Sequence, residues 1–157
     1  MNIEDLKSLM DAFDPAALLP ELNGVLDAVL YAVRIATLLG PAVLLVLGLG
    51  YLIFAPKEAN YYFGYRCTFG MGSVEAWRFT QRLAGIIWSV LGLVLTVAMV
   101  MLTNGLAEMD VYDAVWTAVK YMLWEVGLAA LSCIVINTLV MTQFTYSGDR
   151  RKDRVGK

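Results

Sequence analysis

Histidine is absent from this chain. That removes the side chain used most often as a general base near neutral pH and as a metal ligand. Cysteine occurs only twice, as Cys67 in a loop and Cys133 in an apolar block. Neither a disulfide framework nor a cysteine zinc site is therefore expected. The apolar blocks hold no clustered carboxylates, and a glycine-rich phosphate loop is missing, so an enzyme, a metal centre or a cofactor site is not expected either. The start of the chain is acidic (Glu4, Asp5), its first apolar block begins about thirty residues in, and no A-x-A-like site follows, which argues against a cleaved signal peptide.

What is abundant is apolar surface. Of 157 residues 59% are hydrophobic, and the mean hydropathy is +0.65. A soluble domain is nearer half apolar. The excess falls into three blocks, which predicts one all-α membrane domain, a bundle of three transmembrane helices. The net charge of −2 names no partner besides the lipid bilayer, and direct contact with nucleic acid is not expected.

Along the chain, Ile3, Leu6, Met10 and Phe13 recur at helical spacing, which predicts an N-terminal amphipathic helix lying in the membrane interface. Asp14 and Pro15 suit a stop and a restart. From Leu22 an amphipathic pattern leads into span one, Ile35 to Ala55, with a kink expected at Gly40 and Pro41 and an end at Pro56. Span two is Leu83 to Thr103. Ser73 is the expected N-cap, Glu75 suits the first turn, and one helix is expected from Val74 to about Leu102. Span three is Tyr121 to Thr142. Glu125, Ala129, Cys133 and Asn137 are spaced by four along it, a polar and small stripe that should face the bundle. A charged tail, 143–157, follows, with disorder expected from Gly148 on.

Three spans put the termini on opposite sides. One side carries Lys57, Arg66, Arg78, Arg82, Arg150, Arg151, Lys152, Arg154 and Lys157; the other has only Lys7, Arg34 and Lys120. The positive-inside rule puts the 56–82 loop and the C-terminus in the cytoplasm, with the segment 1–34 outside. The outer face is acidic and could attract a cationic peptide, although exposed acidic loops also serve plain solubility. Arg34 and Glu125 then lie at the outer ends of their spans, and a carboxylate at membrane depth calls for a partner. The expectation is an Arg34–Glu125 pair, with Lys120 or an external ligand as the alternative.

The polar chemistry concentrates between spans one and two: Asn60, then Gly64-Tyr65-Arg66, Thr68, Ser73, Trp77, Gln81-Arg82 and Gly85. Glycine suits a tight turn, and Arg66 offers a planar five-donor fork for a carboxylate or phosphate. Trp77 and the tyrosines suit the headgroup layer. Any inner loop could show an aromatic belt with basic anchors, but a belt needs no fixed order of residues.

That order resembles the SdpI family of bacterial membrane proteins. Its members carry N-x-x-x-G-Y/I-R-T, then W, then T/A-x-R/K-x-x-G between two transmembrane helices. The resemblance spans roughly Gly40 to Thr142 and departs once: Cys67 stands between Arg66 and Thr68. It implies an immunity or signalling protein of the bacterial cytoplasmic membrane. Such a protein neutralises or senses a secreted antimicrobial peptide outside and engages a cytoplasmic regulator through Arg66, Trp77 and Arg82. The alternative is an accessory subunit packed against a larger membrane complex, or a homo-oligomer, through small-residue faces such as Gly85 and Ser89.

Overall fold

The computed structural model describes residues 15–59 and 62–151, with side chains from Asn23 onward. The amphipathic segment Asn2–Phe13, the cap Asp14, Asn60 and the last six residues lie outside the described part. Helix α1 spans Pro15–Ile53, α2 spans Val74–Asn104, and α3 spans Val111–Gln143, with a short 3₁₀ turn at Gly105–Glu108 between α2 and α3. All three helices are long and apolar enough to cross a membrane. The protein is thus a multi-pass, all-helical membrane protein, as its apolar blocks predict.

Local chemistry sets the helix ends. Pro15, whose fixed φ suits the first turn, opens α1, which runs unbroken through Gly40 and Pro41 and ends three residues before Pro56. Ser73 caps α2 as expected: its Oγ accepts from the Ala76 N–H at 3.1 Å, and Glu75 lies in the first turn. The threonine hydroxyls of α2 return to the backbone, Thr80 to Ala76 O at 2.8 Å, Thr96 to Gly92 O at 2.7 Å and Thr103 to Met99 O at 2.7 Å. That satisfies them where lipid offers no acceptor.

The small residues of α1 and α2 face each other. A Cβ on Gly85 would stand 2.7 Å from the Leu52 side chain, and one on Gly48 would collide with the Ser89 backbone. The Gly85 and Ser89 face, expected to serve self-packing or a larger complex, is therefore consumed inside the bundle, because only small side chains let two backbones approach this closely. Two buried clusters close the ends. At the loop end are Tyr65, Ala76, Ala84, Ile136, Val140 and Phe144; at the opposite end, Leu106, Ala114 and Ala118. On α3 beyond Ala114 and Ala118 the buried positions are Glu125, Ser132, Ile136 and Val140, so the stripe read at spacing four drifts by one residue, and Asn137 sits at its exposed edge.

Candidate functional site

The loop between α1 and α2 is built around the Gly64–Tyr65 peptide. Gly64 has φ +129°, where a side chain is strained, and a Cβ there would lie 2.7 Å from the Trp77 ring. The next residue is clamped by one side chain. Gln81 accepts from the Tyr65 N–H at 2.7 Å and donates to the Tyr65 carbonyl at 2.8 Å. A primary amide, one donor group and one acceptor in a plane, can serve both backbone groups of one residue. Gln81 is 1% exposed, so these bonds form away from water. Trp77 is fully buried beside it and donates its indole N–H to Pro56 O at 2.9 Å, which ties α2 to the end of α1.

Tyr65 reaches across to α3. Its hydroxyl lies 3.1 Å from Asn137 Oδ1 and 3.3 Å from Cys133 O, and its ring meets Trp88 edge-on at 5.4 Å. Burial first, and the Cys133 thiol second, push the phenol well above the ordinary tyrosine range, so it stays a hydrogen-bond donor. Trp88 in turn donates to Ser132 Oγ at 3.1 Å and packs on Tyr51 at 5.5 Å. One loop residue thus contacts α2 and α3 through different atoms.

The chain after α3 folds back onto this loop. Ser73 Oγ donates to Gly148 O at 2.8 Å while it accepts from Ala76, so one hydroxyl caps α2 and holds the tail. Arg150 pairs with Glu75 at 2.6 Å, and Arg151 donates to Phe144 O at 3.3 Å. The expectation of disorder from Gly148 is therefore corrected through Arg151. The contact at Gly72 and Gly148 is too close for a Cβ on either residue, and no local pattern announces it.

At the opposite end the expected Arg34–Glu125 pair is not formed. Arg34 donates instead to Oδ1 of Asn104, the last residue of α2, at 2.6 Å. Glu125 is 6% exposed, with Oε1 lacking a hydrogen-bond partner among the described residues and Oε2 turned toward Gly40. A cleft of about 210 Å³ opens beside Arg34, lined also by Asp27, Leu30, Tyr31, Thr103 and Leu106.

A sequence model of the SdpI/YfhL protein family matches residues 57–141, more than half of the chain. The chain belongs to the SdpI/YfhL protein family. No curated protein and no solved structure matches it. The match begins at Lys57, later than the expected Gly40, so α1 lies outside it. Yet α1 and its end supply Pro56 O to Trp77 and Gly48 to the α2 crossing.

The family motif splits into two sets. Gly64, Tyr65, Trp77, Gln81 and Gly85 are buried or half-buried and meet inside the bundle. The reading of Trp77 as a headgroup anchor and partner contact is corrected: its ring fills the space beside Gly64. Arg66, Thr68 and Arg82 are exposed. The two arginines do not converge. Arg66 lines one cleft with Thr68, Met71 and Tyr146, and Arg82 another with Lys57 and Arg78. Cys67, at the family's threonine position, is half-buried against Thr80 and Gly70. Burial raises its thiol pKa, partly offset by hydrogen bonds from Gly70 and Thr80. The thiol thus takes the inward place, and Thr68 is displaced to the surface. No local sequence pattern marks the Gln81–Tyr65 clamp or the tail contact. Only the fixed order of the motif residues hinted that they pack on one another.

Proposed function

We propose that this protein is an immunity- or signalling-type member of the family in the bacterial cytoplasmic membrane. It neutralises or senses a secreted cationic peptide outside and engages a cytoplasmic regulator through the exposed part of its 60–85 loop. It performs no chemistry itself. The charge distribution supports a cytoplasmic loop and C-terminus. The observation that carries the proposal is the position of Tyr65, bonded to α2 through its backbone and to α3 through its hydroxyl. A movement of α3 against α2, begun by a peptide at the Asp27–Arg34 end, has to displace the loop that presents Arg66 and Thr68. The partner surface in this reading is Arg66, Thr68, Met71 and Tyr146, a cationic fork with apolar neighbours suited to an acidic protein surface.

The accessory-subunit reading loses its main support, since the Gly85 and Ser89 face packs within the chain. The test combines purification from the native membrane in mild detergent with a killing assay using secreted peptides. Wild type is compared with Arg66→Ala and Thr68→Ala. The expected result is protection by the chain expressed alone and a stoichiometric partner that Arg66→Ala loses without loss of fold. A chain that never protects, or a partner indifferent to Arg66, refutes the proposal.

A further inference from the structure

The cleft on the Arg82 side has no role in that reading. It measures about 190 Å³ and lies between the end of α1 and the first turns of α2. Lys57, Arg78 and Arg82 line it, with no carboxylate among the described residues around it. Arg78 and Arg82 are four apart on one helix face, where like charges destabilise each other unless an anion lies between them. The nearest acids in sequence are committed elsewhere or point elsewhere. Glu75 pairs with Arg150, and Glu58 follows Lys57 but does not line the cleft. Arg78 Nε is held by the Lys57 carbonyl at 3.4 Å, which steadies the guanidinium and leaves its terminal nitrogens for a ligand. Gln81 reaches the wall with its amide oxygen and one N–H used on Tyr65, so its acceptor is turned away from the anion.

The floor of the cleft is Tyr51, Leu52, Ala55 and Pro56. Leu52, Ile53 and Phe54 are exposed beside it, and Ile86 is exposed one turn beyond Arg82. Apolar surface therefore runs from the cations straight onto the lipid-facing sides of α1 and α2. Snorkelling anchors alone would leave separate cations around the rim; here three converge on one hollow at the end of two spans.

We infer that this cleft binds the phosphate of one anionic phospholipid, with an acyl chain lying along Leu52 and Ile86. The ligand chemistry, a phosphate held by two guanidiniums and an ammonium, would also suit free phosphate. The apolar track assigns it to lipid. The inference needs only the bilayer, not the orientation of the chain or the partner at Arg66.

The test uses the full chain in nanodiscs of phosphatidylcholine, with or without a minor share of phosphatidylglycerol, read by native mass spectrometry. One phosphatidylglycerol per chain is expected to be retained over phosphatidylcholine. Arg78→Gln with Arg82→Gln should weaken retention about tenfold or more, since each basic residue at an anionic membrane surface typically contributes about fivefold. Lys120→Gln, outside the cleft, should change nothing. Thermal unfolding checks that each variant folds. Should the double variant not fold, Lys57→Gln, in the loop, reads the same site. Equal retention of the two lipids, unchanged retention in the cleft variants, or displacement by millimolar inorganic phosphate overturns the inference.

Discussion

Gln81→Leu is the sharpest perturbation of the loop. The substitution leaves the Tyr65 N–H and carbonyl, now bonded at 2.7 and 2.8 Å, without partners at a buried position. Each buried backbone group left unpaired costs about 1–3 kcal/mol, so the pair predicts a loss of roughly 2–6 kcal/mol. Leucine matches the volume of glutamine well enough that packing adds little. Gln81→Glu separates the two bonds. A carboxylate still accepts from the Tyr65 N–H but faces the Tyr65 carbonyl with no donor. When protonated it donates again. Its carboxyl would titrate above the usual glutamate range in the folded chain. The stability it contributes is then present at low pH and lost as pH rises through that titration, so this variant should recover on acidification and Gln81→Leu should not. Unfolding followed by tryptophan fluorescence in mild detergent measures the loss, and amide exchange at Tyr65 locates it. A Gln81→Leu chain within ~0.5 kcal/mol of wild type, the range of a neutral surface change, would show that the clamp is not what holds the loop.

Gly64→Ala should destabilise by about 2–4 kcal/mol, combining backbone strain with the collision against Trp77, whereas Gly105→Ala, with open space around it, should stay near neutral in the same melts. Arg34→Gln and Glu125→Gln should act independently, with a double-mutant coupling below about 0.5 kcal/mol, while Arg34→Gln and Asn104→Leu should couple; strong coupling of the first pair would restore the ion pair that the geometry lacks. Cys67 should react with maleimide more slowly at pH 7–8 than an ordinary exposed thiol, with its rate still climbing above pH 9, because burial holds the thiol protonated; mass spectrometry of a Cys133→Ser chain reads this site alone.

The helices were legible because their signals are local. Ser73 before Val74, Glu75 in the first turn, and Pro56 after an apolar run each act within a few residues of where they stand. The apolar blocks revealed the membrane for the same reason. What the sequence hid are pairings across long separations. Gln81 and Tyr65 carry no periodicity that marks them as partners. Asn104 reaches Arg34 because the last turn of α2 ends beside α1, a pairing 70 residues apart that no local pattern marks. Trp77 shows the limit of reading residue type alone. An indole near a membrane boundary suits the headgroup layer on average, but this one has a glycine opposite and a carbonyl within reach of its N–H, and it goes inside. The same holds for Gly85 and Ser89, whose small size signals close approach without saying to which helix.

The clasp between Ser73 and Gly148 bears on how the chain is made. The bond joins residues 75 apart in sequence, and the Tyr65–Asn137 bond spans 72, whereas the Gln81 clamp spans 16. During synthesis the clamp can close once the second helix has left the ribosome, but the other two wait for the third helix and the turn beyond it. A chain cut short before Gly148 would carry both helices of the motif and still lack the bond that holds Ser73 to the turn after α3. Of these three bonds the one to Gly148 is thus the last that synthesis permits, and it is the one that ties the turn after α3 to the loop.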